Sequence, residues 1–341
     1  MQQSHAPRPL PLFLELVRIV SQREPALAAK ALEGLARYEQ APRENHRPER
    51  PAVATIGPAS LRDCGGSGRP VVLVPSLINP PSVLDLDDDV SLANAIARLG
   101  RRVFLLDWGK AVGRSDFDLG GHVESLLLPL LRELDEPPAL VGYCLGGTIA
   151  MAAANLAPVE RVATLAAPWR FSAYPAEARQ SLERLWAGTR EASNQLGALP
   201  MEVLQGGFWS LDPERTVSKF ARYASFPPDS AEGRRFVTLE DWANEGEPLP
   251  CPAARELIEG LFGGDLPGTG DWRIGGRAIS DRLDYPMLNI TAANDRITPA
   301  ATAPAGDSIE IDSGHVGMVV GSARAKLHKV LADFLSPSLR A

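Results

Sequence analysis

A cysteine placed between glycines is the part of this chain best suited to nucleophilic chemistry. The segment Gly142-Tyr-Cys-Leu-Gly146 follows a short apolar run at 138–141 and leads into Thr148–Asn155, a stretch typical of a helix. Glycines two positions on either side of the cysteine permit a strained turn and a close approach of strand and helix. A sulfur near a helix N-terminus also meets a partial positive charge that favours the thiolate. The pattern predicts strand, sharp turn and helix, with Cys144 at the apex as a nucleophile.

A cysteine nucleophile needs a histidine to take its proton and an acid to orient that histidine. Residues 285–291 predict a strand, and Asp295 lies in the turn-rich segment after it. Another strand is predicted at 307–312, and His315 comes shortly after its end. The chain thus carries nucleophile, acid and histidine in that order, each just beyond a predicted strand. We therefore take Cys144, Asp295 and His315 as the candidate catalytic residues.

Other histidines and acids fit these roles less well. His5 and His46 belong to a proline- and arginine-rich N-terminal stretch and are expected to be solvated. His122 follows two glycines at a predicted helix start and is interpreted as a capping or surface residue. Asp312 is too close to His315 in sequence for the two to come from different strand ends. None of these residues replaces the candidates above.

Strand, turn and helix around Gly-x-Cys-x-Gly form the nucleophile elbow of α/β-hydrolases, here with cysteine in place of serine. Further short apolar strands are predicted at 70–75, 102–107, 139–143 and 162–166, with helical candidates between most of them. Alternation of strands and helices is typical of a parallel sheet covered on both faces. The predicted fold class is therefore α/β: an α/β-hydrolase fold with a mostly parallel, doubly wound sheet and an inserted, mainly helical cap.

Five segments in matching order resemble polyhydroxyalkanoate (PHA) synthases, and most of all the short class III catalytic subunits of the two-subunit enzymes. The segments are residues 74–86, 103–109, 142–148, 294–299 and 314–320. The resemblance extends over about residues 70–335, most of the chain. It implies that the catalytic Cys, Asp and His of that family correspond to Cys144, Asp295 and His315. It also implies an acyltransferase that polymerises (R)-3-hydroxyacyl-coenzyme A into a polyester and releases coenzyme A.

The same resemblance implies the partners. These would be the 3-hydroxyacyl-coenzyme A substrate, a second synthase subunit, a second copy of the chain in a homodimer, and the PHA granule surface. No bound cofactor is expected, because coenzyme A belongs to the substrate and product. The sequence does not indicate which residues contact coenzyme A, because no phosphate-cradling loop is apparent.

The chain also departs from the family. Residues 169–284 match poorly, and Pro80 and Ser82 stand where many members have a basic and an aromatic residue. Two alternatives therefore stay open. One is a Cys-dependent α/β-hydrolase, a thioesterase or esterase acting on acyl-coenzyme A or hydroxyalkanoate oligomers. The other is a non-catalytic scaffold, such as a granule-associated subunit, which the complete set of three candidate residues disfavours.

Acyl transfer also needs hydrogen-bond donors for the oxyanion that forms on the attacked carbonyl. In a nucleophile elbow the first donor is the backbone N–H of the residue after the nucleophile, here Leu145. The second comes from the loop after the first strand of the body, with Leu77 or Ile78 as the candidates. If the cap excludes water, a second hydroxyacyl group resolves the acyl-enzyme and the polymer grows; if water enters, the chemistry is hydrolytic.

Composition and short motifs argue against several other classes of protein. The 341 residues are 45% hydrophobic, with a net charge of −7 and a pI near 5.4, and no basic block suggests nucleic-acid binding. Three widely spaced cysteines predict no disulfide framework, and no CxxC or HExxH spacing predicts a metal site. The apolar N-terminal stretch is interrupted by Glu15 and Arg18, which argues against a secretion signal. No run is long enough to span a membrane, so we expect a cytoplasmic location, with association to granules as an option.

Along the chain we predict three regions: an N-terminal helix and linker at 1–51, an α/β-hydrolase core at 52–168 and 285–341, and a cap or lid at 169–284. The helical part of the first region is expected to break near Pro25. Packing of these helices on the body is favoured over a role in binding a partner or a granule. The aromatic residues of the cap either line an acyl pocket or only pack the cap itself.

Overall fold

A computed structural model describes residues 5–43 and 49–336 of the chain. By their internal contacts, the residues fall into two compact units. The smaller comprises Met1–Pro48 with Pro200–Gly246, and the larger comprises Glu49–Leu199 with Glu247–Ala341. The larger unit thus contains the predicted core together with both ends of the predicted cap. The domain boundaries drawn from the sequence remain a prediction, and His46 lies outside the described residues.

The strands all belong to the larger unit. In chain order they are β1 (Ala52–Ile56), β2 (Ala59–Gly65), β3 (Pro70–Val74), β4 (Arg102–Asp107), β5 (Ala139–Tyr143), β6 (Arg161–Leu165), β7 (Ala198–Leu199), β8 (Leu249–Pro250), β9 (Arg273–Ile274), β10 (Arg277–Ala278), β11 (Met287–Ala292) and β12 (Ser308–Ile311). β7 pairs with β8 and β9 with β10 as short antiparallel ladders. The others form an eight-stranded sheet in the order β1-β2-β4-β3-β5-β6-β11-β12.

This sheet confirms the predicted fold class. β3, β4, β5, β6, β11 and β12 run parallel to their neighbours within that set, and β2 is antiparallel to both β1 and β4. Every residue of β3 and β5 is buried, as expected for strands covered on both faces. The β1–β2 hairpin was not predicted. β1 is largely exposed, although its sequence is as apolar as that of the buried strand β6.

The helices of the described residues cover the sheet in the larger unit and build the smaller one. In chain order they are α1 (Leu10–Ser21), α2 (Pro25–Gln40), α3 (Leu92–Ala97), α4 (Leu119–Gly121), α5 (Leu128–Arg132), α6 (Leu145–Leu156), α7 (Ala176–Leu196), α8 (Met201–Ser210), α9 (Pro213–Ala224), α10 (Ala231–Asn244), α11 (Cys251–Arg255), α12 (Leu266–Thr269), α13 (Gly317–Val320) and α14 (Arg324–Leu335). Short 3₁₀ turns lie at Pro81–Leu84, Ala111–Arg114, Phe171–Ala173 and Ala300–Thr302, and π-helical turns at His122–Leu127 and Glu256–Gly263.

The smaller unit is a helical assembly with its own aromatic core. α1 and α2 separate at Pro25, as the sequence predicts, and both pack against α9. The ring centroids of Phe13 and Phe220 lie 4.7 Å apart. A Cβ added to Gly34 would lie 2.0 Å from the Phe220 carbonyl oxygen, so glycine permits the close approach of α2 and α9. The N-terminal helices thus bury an apolar face against residues 200–246, and partner or granule binding by this segment remains a prediction.

None of the helices in the described ranges combines the length and apolar character needed to cross a lipid bilayer.

Parallel pairing brings the ends of three strands to one edge of the sheet. The register pairs Tyr143 of β5 with Leu165 of β6, and Leu165 with Ile290 of β11. Ala292 of β11 in turn pairs with Ile311 of β12. Because carboxyl ends of parallel strands meet at the same edge, the loops after β5, β11 and β12 all lie at that edge, with β6 between β5 and β11. These are the loops that carry the three candidate catalytic residues.

Candidate active site

Cys144 occupies a strained turn between β5 and α6. Its φ of 56° and ψ of −133° lie in a region that side-chain-bearing residues rarely adopt, and its N–H donates to the Leu165 carbonyl at 2.9 Å. A Cβ added to Gly142 would lie 2.4 Å from the Gly147 Cα atom, so the strand and helix approach too closely for any other residue. The surrounding structure therefore fixes a turn that would otherwise be unfavourable, and Cys144 remains partly exposed at the apex.

Gly146 brings the first turn of α6 against the end of β3. A Cβ at this position would lie 2.1 Å from the Val74 carbonyl oxygen and 2.5 Å from that of Pro75. The start of the helix thus adjoins the loop that follows β3. This contact places the Leu145 amide and the predicted oxyanion loop in one neighbourhood.

The Asp295 carboxylate is buried and accepts four hydrogen bonds. Its Oδ1 accepts from the N–H groups of Ile297 and Thr298, each at 2.8 Å. Its Oδ2 accepts from the Thr298 hydroxyl at 2.7 Å and from His315 Nδ1 at 2.7 Å. Burial alone would raise the pKa of Asp295, but the hydrogen bond and charge of His315 and the bonds from Thr298 outweigh it and lower that pKa. The carboxylate therefore stays ionised beside the imidazole.

His315 connects this carboxylate to the cysteine. Its Nδ1–H donates to Asp295, which leaves Nε2 as the ring nitrogen available to Cys144. Burial lowers the pKa of His315, but the charge of Cys144, the hydrogen bond to Asp295 and a hydrogen bond with the Cys144 thiol raise it to about 10. These contacts thus favour the imidazolium form of His315. The Tyr143 ring lies against His315, with centroids 5.0 Å apart, and fixes its orientation from one side.

Thr298 is a site residue that the sequence interpretation missed. Its Oγ1 donates to Asp295 and also lies 3.1 Å from His315 Nδ1. Because its hydrogen is directed to the carboxylate, the hydroxyl oxygen can share the Nδ1–H as a second acceptor. The available signal was its position three residues after Asp295, where an aspartate side chain commonly bonds the backbone of a turn.

Aromatic residues of the predicted cap divide between two locations. Burial raises the pKa of Tyr174 well above its usual range, and the charges of Cys144 and Asp295 raise it further. Tyr174 contacts Phe262, with ring centroids 4.9 Å apart, and Phe171 at 5.9 Å. Other cap aromatics pack inside the smaller unit instead: Trp209, Phe220, Tyr223, Phe226 and Phe236.

The assignment of the oxyanion donors remains a prediction, and the structure describes the surroundings of their amides. Leu77 and Ile78 are buried in the loop after β3, and Leu145 opens α6. Among the described residues no group accepts a hydrogen bond from the Leu77 or Leu145 amide, and the Ile78 amide has only a long contact, 3.4 Å, to the Ser76 hydroxyl. These amides are therefore available to a substrate oxygen.

His122 does not lie on the surface, so that part of its interpretation is wrong. Its side chain is fully buried, and its ring packs edge-on against Trp108 and Phe117 at centroid distances of 5.7 and 5.9 Å. Its Nδ1 lies 2.6 Å from the Asp118 carbonyl oxygen, and its Nε2 lies 3.2 Å from Arg114 Nη1. The π-helical turn that starts at His122 directs the ring inward.

Asp312, the other acidic residue considered near His315, bonds a different side chain. Asp312 accepts a hydrogen bond from the Asn294 side chain at 3.0 Å. Within the part of the chain that the structure describes, His, Cys, Asp and Glu side chains form no group of three suited to a metal ion.

Comparisons with known proteins agree with the fold and with the sequence resemblance. The chain is 26% identical over 273 residues to the poly(3-hydroxyalkanoate) polymerase subunit PhaC of Haloferax mediterranei, covering 74% of this chain and 55% of that protein. It is 24% identical over 292 residues to the PhaC subunit of Thiocystis violacea, covering 78% and 80%. The resemblance to PHA synthases is thereby confirmed. The chain spans only 55% and 60% of the lengths of the Haloferax mediterranei and Haloarcula marismortui relatives.

A candidate aryl esterase of Burkholderia cenocepacia is similar in structure, with a TM-score of 0.50 and 15% identity over 84% of this chain and 98% of that one. At this identity the similarity supports the fold alone. A profile described as the alpha/beta hydrolase family matches residues 71–327. The chain therefore belongs to the alpha/beta hydrolase family.

Proposed function

We propose that this protein is an acyltransferase that polymerises (R)-3-hydroxyacyl-coenzyme A into a polyhydroxyalkanoate. One observation carries the proposal: Cys144, on a strained turn, lies beside a buried His315–Asp295 pair in a chain similar to PHA polymerase subunits. When His315 takes the proton of Cys144, the resulting thiolate is a strong nucleophile at neutral pH and suits a thioester substrate. Coenzyme A enters as part of the substrate and leaves as product, so no resident cofactor is needed.

In the first half-reaction the Cys144 sulfur attacks the thioester carbonyl carbon. The carbonyl π electrons move to oxygen, and the resulting oxyanion accepts hydrogen bonds from the Leu145 amide and from Leu77 or Ile78. Collapse of the tetrahedral intermediate breaks the bond to the coenzyme A sulfur, and the His315 imidazolium protonates that sulfur. Asp295 holds the ring through Nδ1–H and stabilises its charged form. The products are an acyl-cysteine and free coenzyme A.

In the second half-reaction a hydroxyl group attacks the acyl-cysteine. His315, now neutral, accepts the hydroxyl proton, the new ester bond forms and the Cys144 sulfur leaves. When the hydroxyl belongs to another 3-hydroxyacyl group, each cycle lengthens the polyester by one unit. Since the charges of Cys144 and Asp295 contribute to the raised pKa of Tyr174, we infer that the aromatic cluster of Phe171, Tyr174 and Phe262 faces the site. An apolar wall there would disfavour water as the attacking group.

The partners follow from this activity. A second synthase subunit, a homodimer partner and the surface of the growing granule would each contact an enzyme of this kind, with the cytoplasm as the site of synthesis.

The test is to give purified protein (R)-3-hydroxybutyryl-coenzyme A and to follow free thiol, free acid and turbidity together, with and without a second synthase subunit. Thiol release with turbidity is the expected result. Thiol release with free hydroxy acid would indicate the hydrolase alternative, and no thiol release under either condition would indicate a scaffold. Cys144→Ala should abolish thiol release. Cys251→Ser is the matched control, because Cys251 is buried and bonds Asn194, so its thiol plays no part in the chemistry.

A further inference from the structure

Arg114 is an unusual buried cation. It ends the 3₁₀ turn Ala111–Arg114 and is 1% exposed. Among the described residues it forms no ion pair, and its Nε has no hydrogen-bond partner. Burial lowers the pKa of Arg114 to about 10, although the charges of Glu247 and Asp107 oppose this, so burying its guanidinium without a paired carboxylate is costly. Its two remaining nitrogens instead make specific bonds to groups in and near the oxyanion loop.

The first bond goes to the loop itself. Arg114 Nη2 donates to the Leu77 carbonyl oxygen at 3.0 Å. In a trans peptide the carbonyl of one residue and the N–H of the next point in opposite directions. Holding the Leu77 oxygen therefore also fixes the direction of the Ile78 N–H, one of the two candidate oxyanion donors. The position of Leu77, the other candidate, is fixed by the same contact.

The second bond orients the guanidinium. His122 Nδ1 lies 2.6 Å from the Asp118 carbonyl and can only donate to it, so the proton is on Nδ1. The Nε2 lone pair is then free to accept from Arg114 Nη1 at 3.2 Å. A neutral, fully buried imidazole thus serves as a fixed acceptor that aims the arginine at Leu77.

The same 3₁₀ turn secures the next residue of the loop. The Glu247 N–H donates to the Ile78 carbonyl at 2.8 Å, and the Glu247 carboxylate accepts from the Ala111 N–H at 3.1 Å and from Lys110 Nζ at 2.8 Å. Two successive loop carbonyls are therefore held from one side. The N–H group of each of these two peptides is therefore constrained to point to the opposite side.

We propose that Arg114, aimed by His122, is a positioning residue for acyl transfer: it holds the Leu77 carbonyl so that the loop amides keep the orientation that an oxyanion requires. This inference rests on the proposed acyl-transfer function. It predicts that Arg114 matters for reactions that form an oxyanion and not for reactions of the Cys144 thiolate that form none.

The experiment compares two reactions of the same sulfur in full-length protein. Acylation is measured as coenzyme A release from (R)-3-hydroxybutyryl-coenzyme A, and alkylation of Cys144 is measured with iodoacetamide, which forms no oxyanion. Removing a whole oxyanion donor costs about 10²–10³ in rate, so Arg114→Met, which only loosens the loop, should lower acylation roughly tenfold to a hundredfold. Alkylation should stay unchanged. Arg114→Lys keeps the charge but not both bonds, and should show a smaller selective loss.

The matched control is Arg101→Met. Arg101 is also buried, donates through Nε to the Leu335 carbonyl at 3.0 Å and pairs with Glu160, away from the loop. This variant should leave the ratio of acylation to alkylation unchanged.

The proposal is overturned if folded Arg114→Met acylates like the unmodified protein, if both reactions slow in parallel, or if Arg101→Met shows the same selective loss. Should Arg114→Met not fold, Arg114→Lys and His122→Gln decide the matter: a lowered ratio supports the proposal, and an unchanged ratio rejects it. An unmodified protein that releases no coenzyme A would defeat the proposed function instead, which separates the two failures.

Discussion

The two halves of the candidate site are held in different ways. On the acid–histidine side, every donor to the Asp295 carboxylate comes from residues 297, 298 and 315, within 20 positions along the chain. On the oxyanion side, the loop carbonyls of Pro75 and Leu77 are held by Trp108 and Arg114, which are 33 and 37 positions away. The first half thus draws its contacts from the loops after the adjacent strands β11 and β12, and the second from parts of the chain further away in sequence. The two halves should therefore fail under different perturbations.

The largest effect is expected from a change on the acid–histidine side. Asp295→Asn keeps the size of the side chain but removes the charge that stabilises the His315 imidazolium. In other enzymes with a nucleophile, a histidine and an acid, the corresponding change lowers kcat by about 10⁴. We therefore expect kcat to fall by about 10³–10⁴, with the fold retained. Steady-state coenzyme A release and circular dichroism measure the two properties.

Asp312→Asn is the control for this change, because Asp312 bonds Asn294 and not His315. Its activity should match that of the unmodified protein. If Asp295→Asn kept most of its activity, or if Asp312→Asn lost as much, the assignment of the acid would be wrong.

On the oxyanion side, the next largest effect is expected from Gly146→Ala. The new Cβ would lie 2.1 Å from the Val74 oxygen, so helix α6 and the loop after β3 must separate. We expect a loss of about 3 kcal/mol or more in unfolding free energy, at or above the upper end of the usual cost of overpacking, because a backbone carbonyl must move. Urea unfolding measures this loss.

Gly188→Ala is the matched variant, since Gly188 lies on the exposed face of α7 with open space around its Cα. There alanine should be neutral or stabilise by up to about 1 kcal/mol, because glycine is a poor helix former. Equal stability of the two variants would show that the close approach at Gly146 does not matter.

The smallest effect is on the pH dependence of stability, in which His122 on the oxyanion side and Asp295 on the acid–histidine side should behave differently. Burial, together with the charge of Arg114, lowers the pKa of His122 to about 4, although its bond to Asp118 opposes this. The unfolded chain takes up a proton near the ordinary value of 6.5 and the folded chain does not. Stability should therefore fall between about pH 6.5 and 4, by up to about 3 kcal/mol.

Asp295 behaves differently, because its pKa is lowered below the ordinary 3.8. Its contribution to stability is present above that value and is lost only as the pH falls further. Urea unfolding of the unmodified protein and of His122→Gln from pH 7 to pH 4 measures the His122 contribution as their difference. A difference that stays constant over this range would contradict the assignment of a neutral, buried His122.

The difference between the acid–histidine side and the oxyanion side also explains what could be predicted from the sequence. Cys144 with its glycines, and Asp295 and His315 beyond their strands, follow from local patterns, and so do the buried central strands. Thr298 lies in a segment already singled out, and its position after Asp295 indicates a turn contact, but its shared contact with His315 depends on the fold. Arg114 could not be predicted, because its role depends on a carbonyl and an imidazole that only the folded chain brings to it.

The central claim is that Cys144 carries the acyl group during transfer. The most direct measurement is mass spectrometry of protein quenched with acid during turnover of (R)-3-hydroxybutyryl-coenzyme A, followed by peptide mapping. We predict one or more hydroxybutyryl units on the peptide that contains Cys144, and none on Cys144→Ala. Coenzyme A release without any adduct on that peptide, or with the adduct on another residue, would contradict the claim.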